Sequence, residues 1–190
     1  MPRYIAFLRA INVGGHVVTM DRLRGIFAAM DLAAVETFIA SGNVVFSSRA
    51  KEAGALERRI ERALGEALGY EVATFLRSSE DLAAIAAREP FAAPLVSGAA
   101  ANYVAFLREG PDAAAKKRVM ALRSENEIFH FQGRELHVVS RLRFSESAFT
   151  GAQLEKALGA PATIRGINTV RKMAIKFAGA AVAPSKGKKQ

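Results

Sequence analysis

The sequence has no cysteine, no tryptophan and only three histidines among its 190 residues. Without cysteine, disulfide bonds, cysteine-ligated metal sites and thiol nucleophiles are excluded. No apolar run approaches the roughly 20 residues that a membrane-spanning helix needs, and the first residues lack the cleavage site of a signal peptide. We therefore expect a cytoplasmic protein that makes no contact with membranes.

Acidic residues are missing from the C-terminal part of the chain. From residue 171 onward the sequence has no acidic residue and six basic ones, Arg171, Lys172, Lys176, Lys186, Lys188 and Lys189. They leave only +3 of the net charge of +9 for residues 1–170. A short basic tail attracts polyanions weakly and in a salt-dependent way. One hypothesis is therefore weak nucleic-acid contact through a disordered tail at 181–190 and the three basic residues before it, Arg171, Lys172 and Lys176.

The spacing of apolar residues predicts the order β-α-β-β-α-β in the first half of the chain. The predicted elements are a strand at 4–10, a helix at 19–30 with Thr19 as its N-cap, strands at 35–40 and 43–48, a helix at 52–68 and a strand at 71–78. Ser78 and Asp81 have the spacing of a capping box, which predicts a further helix at 78–89. The segment 90–100 contains two prolines and is the predicted linker.

The same order recurs in the second half of the chain. The predicted elements are a strand at 102–109, a helix at 111–123, strands at 127–131 and 135–140, a helix at 151–159, a strand at 162–165 and a helix at 168–179. Residues 4–9 and 103–108 agree at five of six positions, which favours a duplication. We predict an α+β protein of two tandem ferredoxin-like lobes, residues 1–95 and 96–180, with additional helices near 79–89 and at the C-terminus.

The first strand of each predicted lobe is apolar on both faces. Within residues 4–8 every side chain is apolar or aromatic, and the same holds for residues 103–107. A ferredoxin-like sheet carries helices on one face only, so its second face needs another cover. We expect the two lobes to pack against each other and to supply that cover.

The connections of the first lobe bring several polar residues to one end of its sheet. If the strand at 4–10 points upward, then the loop 9–19, the hairpin turn at 40–44 and the loop 69–71 all lie at the top. Glycine amides beside the positive end of the following helix form a cradle for an anion, and an arginine adds charge. We predict a site for an anionic ligand, such as a nucleotide or a phosphorylated metabolite, formed by Arg9, Asn12, Gly14, Gly15, Ser41, Gly42 and Asn43.

Other interpretations of these loops stay open. A glycine pair often only permits a positive φ in a tight turn, and Ser-Gly-Asn is an ordinary hairpin sequence. The alternative function is an enzyme that acts on a small anionic substrate at the same end, with His16 as the proton-transfer group. No acidic residue in these loops is placed to orient that histidine.

The chemical motifs of metal and cofactor sites are absent from the sequence. His130 and His137 are predicted to face each other across a hairpin that turns at Gly133 and Arg134, but no third ligand accompanies them, so we expect no metal. Glycine-rich nucleotide motifs and the serine elbow of hydrolases are also missing, and we predict no cofactor. The strand "GNVVFSS" lacks the aromatic run of RNA-recognition modules.

Three segments resemble a known family. "YIAFLRAINVGG", "FIASGNVVFSS" and "LEKALGAPATIRGINTVRKMA" are similar to the signature segments of the bacterial family known as domain of unknown function 1697. The resemblance implies a cytosolic α+β protein of two ferredoxin-like halves and brings no established activity. This chain departs from the family pattern at Ala148, where a basic residue is usual, and at Ile167, where tryptophan is usual. The departures favour the first lobe as the location of a site.

Overall fold

The computed structural model describes residues 1–12, 14–39, 42–143 and 145–179. The first half contains, in chain order, β1 Arg3–Leu8, α1 Met20–Ala28, β2 Ala33–Thr37, β3 Asn43–Ser47, α2 Ala53–Leu68, β4 Thr74–Ser78 and α3 Ser79–Ala87. These elements are called the first lobe below.

A short helix, α4 Ala93–Ser97, connects the first lobe to the second. The second lobe contains β5 Ala101–Leu107, α5 Ala113–Met120, β6 Glu127–Gln132, β7 Glu135–Ser140, α6 Gly151–Leu158, β8 Ala162–Gly166 and α7 Ile167–Ala178. The predicted tail at 181–190 lies outside the described residues.

Local capping interactions explain where several helices begin and end. The Thr19 side chain accepts a hydrogen bond from the Arg22 backbone N–H at the start of α1, as predicted. Ser78 and Asp81 form the predicted capping box of α3. Gly69 and Gly159 adopt left-handed conformations directly after α2 and α6, a backbone state that glycine reaches without strain.

Each lobe forms one four-stranded antiparallel sheet, and the two sheets have equivalent topologies. The strand orders are β2-β3-β1-β4 and β6-β7-β5-β8, so β1 and β5 occupy equivalent central places. In β1, Phe7 is paired with Asn43 and Phe75. In β5, Phe106 is paired with Glu135 and Thr163 at the corresponding positions. The protein is therefore an α+β protein in which two sheets of matching order alternate with helices.

Three apolar cores occupy the faces of these sheets. One core lies between the first sheet and helices α1 and α2, and another lies between the second sheet and α5 and α6. The third joins the lobes and contains Ile5, Phe7, Val104 and Phe106 together with residues of α3 and α7. The rings of Phe7 and Phe106 stack with centroids 3.9 Å apart. The lobes thus cover each other's second sheet faces, as the doubly apolar strands predicted.

The predicted linker contains a short helix that no sequence signal indicated. Residues 93–97 form α4. A proline is tolerated in the first turn of a helix because the first backbone N–H groups have no partner within the helix. In the part of the chain that the structure describes, no helix has both the length and the apolar character needed to cross a bilayer.

Candidate functional site

Three loops of the first lobe meet at one end of its sheet. The Leu8 backbone N–H donates to the Gly42 carbonyl oxygen at 2.8 Å, and a Cβ added to Gly42 would lie 2.6 Å from the Ile11 Cγ2 atom. The Tyr70 hydroxyl donates to the Ile11 carbonyl oxygen at 3.0 Å. The loop after β1, the end of the β2–β3 connection and the loop after α2 therefore lie together. We call this end of the first lobe, formed by residues 9–12, 14–16, 39, 42 and 70, the rim.

Gly14 and Gly15 form an accessible part of the rim. Both are exposed, with φ values of +69° and +85°. No hydrogen bond joins their backbone N–H groups to any described residue. A Cβ at either position would meet nothing within 4 Å. Packing therefore does not require glycine at these positions, whereas the left-handed backbone does.

Arg9 is engaged in a contact that the sequence did not predict. Its guanidinium forms a two-pronged ion pair with the Glu155 carboxylate of α6, and the Nη2 donor lies 2.6 Å from Oε2. Hydrogen bonding to Glu155 raises the pKa of Arg9. The predicted supplier of charge to a ligand therefore joins the two lobes, although 43% of its side chain is still exposed.

Asn12 and Asn43 form hydrogen bonds within the protein. The Asn12 Oδ1 atom accepts a hydrogen bond from the Val18 backbone N–H at 2.7 Å and so closes the loop before α1. Asn43 is fully buried, and its Nδ2 atom donates to the Phe38 carbonyl oxygen at 2.9 Å. The role of Asn43 in ligand binding stays a prediction, and its side chain is buried in this structure. Ser41 lies outside the described residues.

Asn43 belongs to a contact between the lobes that occurs twice. Arg165 of β8 donates from Nε to Asn43 Oδ1 at 2.7 Å and from Nη2 to the Leu8 carbonyl oxygen at 2.9 Å. The equivalent residue of the first lobe, Arg77 of β4, reaches in the opposite direction.

Arg77 donates from Nε to Glu135 Oε1 at 2.7 Å and from Nη2 to the Leu107 carbonyl oxygen at 2.9 Å. Burial lowers the pKa of Arg165 to about 10 and also lowers the pKa of Arg77. Each lobe therefore extends one buried guanidinium into the other lobe. There it binds the end of that lobe's central strand.

The Arg9 ion pair has the same kind of counterpart. Arg108, which follows β5 as Arg9 follows β1, pairs with Glu61 of α2. Glu61 accepts from the Thr74 backbone N–H at 2.9 Å, as Glu155 accepts from the Ala162 backbone N–H at 2.9 Å. The repeated "AFLR" segment thus places an equivalent arginine at each crossing between the lobes.

These inter-lobe residues carried a sequence signal. Arg9 and Arg108 end the two copies of the repeated segment, and a residue that recurs in both copies of a duplication is best explained by a role that both copies share. Arg77 and Arg165 carry no such local signal, because their partners in the opposite lobe are between 30 and 157 positions away in the sequence.

The histidines have distinct surroundings. His16 is exposed, and its ring stacks on Tyr70 with centroids 3.9 Å apart. His130 and His137 face each other across β6 and β7, as predicted. His130 is exposed, whereas only 1% of His137 is accessible. No cluster of three histidine, aspartate or glutamate side chains suited to a metal ion occurs within the described ranges.

The basic residues of α7 have different surroundings. Lys176 pairs with Glu36 at 3.1 Å and lies 4.6 Å from the centre of the Phe177 ring. Arg171 donates to the Ala86 carbonyl oxygen at 3.4 Å, and Lys172 is exposed. Of the three cations that the sequence suggested for nucleic-acid contact, Lys172 and Lys176 are exposed.

Comparisons with known proteins place the chain among uncharacterised relatives. The sequence model of a family described as "Protein of unknown function (DUF1697)" matches residues 1–137. The solved structure of conserved bacterial protein SP0830 from Streptococcus pneumoniae is similar to 92% of this chain and 97% of that chain, with 26% identity and a TM-score of 0.73. No curated protein matches the chain.

Proposed function

The chain belongs to the DUF1697 family of proteins of unknown function, and from the geometry of its rim we propose that it binds a small anionic ligand there. The carrying observation is the pair of exposed backbone N–H groups at Gly14 and Gly15, which have no partner among the described residues. Backbone N–H groups without a partner in the chain are donors that an oxyanion can accept from.

Backbone strain around the rim supports the proposal. Four described residues other than glycine have a positive φ, and two of them, Ala10 and Ile39, lie at the rim with φ values of +55° and +59°. Ile39 is 51% exposed. A positive φ is a genuine outlier for a β-branched residue. Such strain concentrates at binding sites because the surrounding structure must hold the site in one shape.

Arg9 supplies positive charge at the rim. Arg9 is bound to Glu155 but is partly exposed, so its guanidinium can hydrogen-bond an anion at its outer edge. Glu155 competes with the anion for that guanidinium. The anion would therefore bind weakly while Glu155 is ionised and more tightly when its charge is removed.

Titration of the 15N-labelled protein with inorganic phosphate tests the proposal. We expect the Gly14 and Gly15 amide resonances to shift at millimolar phosphate. Glu155→Gln should raise the phosphate affinity, and Arg9→Gln should lower it, each by about five-fold, the equivalent of roughly 1 kcal/mol. Glutamine keeps the oxygen that accepts from Ala162, so the end of α6 is preserved.

The other lobe offers a matched control. Arg108 makes the equivalent ion pair with Glu61, but the loop that follows it has no pair of adjacent glycines. Arg108→Gln should leave the phosphate affinity unchanged. The proposal fails if phosphate does not shift Gly14 and Gly15, or if the Arg9 and Arg108 variants lose affinity equally.

The proposal also includes the fold of each lobe, the division of the chain into lobes and its location in the cell. We propose that both lobes are ferredoxin-like, supported by the matching strand orders. We also propose that the chain divides into residues 1–95 and 96–180 and that it acts in the cytoplasm. Under this proposal the ligand binds to the first lobe, and the second lobe fixes the rim through Arg165 and Glu155.

A further inference from the structure

A cavity lies between the second lobe and the connection that leads into it, away from the rim. It has a volume of about 390 Å³ and lies beneath the connection from α3 to β5, against β7 and the start of α7. Its apolar wall is formed by Phe91, Val96 and Ile167, and its polar wall includes Arg88, His137 and Arg171. This volume lies within the range of small-molecule sites, roughly 300 to 1,000 Å³.

His137, which lines this cavity, has an unpartnered polar atom. The residue is 1% accessible, and its Nε2 atom has no hydrogen-bond partner among the described residues. Buried polar side chains nearly always have a partner. Burial and the nearby charges of Arg88 and His130 lower the pKa of His137 to about 4, so the imidazole is neutral near pH 7 and offers one donor and one acceptor.

The first lobe shows that the fold does not need a histidine here. His137 pairs with Val104 in the second sheet, and Val45 pairs with Ile5 at the equivalent position of the first. Val45 is 1% accessible and belongs to the apolar core between the lobes. The same structural position is therefore filled by an apolar side chain in one lobe and lines a cavity with an imidazole in the other.

The arginines of the cavity wall are not all paired with a carboxylate. Glu135 is shared by Arg77 at 2.7 Å and Arg88 at 3.0 Å. Arg171 forms no ion pair with a described residue and makes only the 3.4 Å hydrogen bond to Ala86. Glu89 also lines the cavity but is exposed. An anion that enters next to Arg171 would find a cation with no carboxylate partner of its own.

We propose that this cavity binds a small organic acid with an apolar body. Its carboxylate pairs with Arg171 and accepts a hydrogen bond from the His137 imidazole, while the body packs against Phe91, Val96 and Ile167. Two features of the lining support this ligand: it combines a buried histidine that has an unpartnered nitrogen with a cation, and it includes the apolar side chains of Phe91, Val96 and Ile167. The proposal does not depend on anion binding at the rim.

Phenylacetate is a suitable probe, because it combines one carboxylate with one apolar ring, and phenylacetamide is its uncharged match. In the 15N-labelled full chain, we expect phenylacetate to shift the imidazole nitrogen resonances of His137 and to leave the Gly14 and Gly15 amides in place. Isothermal titration calorimetry should show phenylacetamide binding at least about ten-fold more weakly, because a hydrogen bond to a charged group is stronger than one to a neutral group.

Neighbouring residues of α7 supply matched variants. Arg171→Gln should weaken phenylacetate binding about ten-fold, whereas Lys172→Gln, which removes the same charge from an exposed position, should not. His137→Val, which copies the first lobe, should also weaken binding. The proposal is overturned if phenylacetate leaves the His137 resonances of the unmodified protein unchanged, if both probes bind equally, or if the Arg171 and Lys172 variants lose affinity equally.

Discussion

Arg77 and Arg165 are buried cations whose guanidiniums lie against the opposite lobe. Each donates to the last carbonyl of that lobe's central strand, Leu107 or Leu8. Buried charges are costly to desolvate, so they persist only where several hydrogen bonds satisfy them. The two arginines therefore determine how the ends of β1 and β5 are positioned, and with them the start of the rim.

Removal of either buried arginine should destabilise the whole molecule. We expect Arg77→Met and Arg165→Met each to lower the free energy of unfolding by about 3 kcal/mol, because each leaves buried acceptors without donors. Arg141→Met, at an exposed arginine, should change it by less than about 0.5 kcal/mol. Urea unfolding measures all three. The structural role of the two buried arginines would be contradicted if Arg77→Met and Arg165→Met both lowered the free energy of unfolding by less than Arg141→Met does.

His137 should make stability depend on pH. Its pKa falls from an ordinary 6.5 when the chain is unfolded to about 4 in the folded protein. As the pH falls from 7 to 5, the unfolded chain takes up a proton that the folded protein does not, and stability decreases by about 2 kcal/mol. The charged or titratable groups around this histidine are Arg88, Glu89, His130, Glu135 and Arg171.

Comparison with His137→Val isolates this contribution. The variant removes the titrating group while the surrounding groups remain. Between pH 7 and pH 5, the decrease in its free energy of unfolding should therefore be about 2 kcal/mol smaller than the decrease in the unmodified protein. Urea unfolding at both pH values supplies the comparison. Equal decreases in the two proteins would show that this imidazole is not held neutral by the fold.

Among the elements, the rim loops depend on glycine for two different reasons. Gly42 has a φ of +74°, and a Cβ there would overlap Ile11. Gly15 has a φ of +85° but open space around it. Gly42→Ala should therefore destabilise the protein by about 3 kcal/mol through backbone strain and overlap. Gly15→Ala should cost only about 1 kcal/mol, from backbone strain alone.

Thermal unfolding of the two glycine variants checks this difference. A similar loss of stability in both would mean that Gly14 and Gly15 are held by contacts, as Gly42 is. The amides of the pair would then not be available to an anion. A smaller loss at Gly15 agrees with a loop in which glycine is retained for its backbone conformation.

The element order could be predicted from the sequence because its causes are local. Apolar spacing within each segment, the Thr19 cap and the Ser78–Asp81 capping box all act over a few residues. The helix α4 was missed because five residues with a proline give a weak pattern. Element type was therefore more predictable than the structure of the connection between the lobes.

The site was less predictable because its determinants act between lobes. The chain direction correctly brings Gly42 next to the loop after β1. It could not reveal that Glu155 holds Arg9 or that Arg165 buries Asn43, since those partners are more than a hundred residues apart. His137 stood out only as part of a histidine pair, because its cavity depends on α7 and on the connection after α3.

At the scale of the whole molecule, two equivalent lobes exchange arginines around a common apolar core. Phe7 and Phe106 meet at its centre, and the contacts of Arg9 and Arg108 repeat on either side. The two lobes differ at the equivalent positions Val45 and His137. We infer that a duplicated fold maintains its shape through the repeated contacts and binds a ligand where the copies differ.

A crystal structure of the protein grown with phenylacetate tests this claim most directly. The account predicts the carboxylate between Arg171 and the Nε2 atom of His137, with the ring against Phe91 and Val96. An empty cavity beside phenylacetate bound elsewhere would contradict it, as would a His137 imidazole that turns away from the cavity to a partner within the chain.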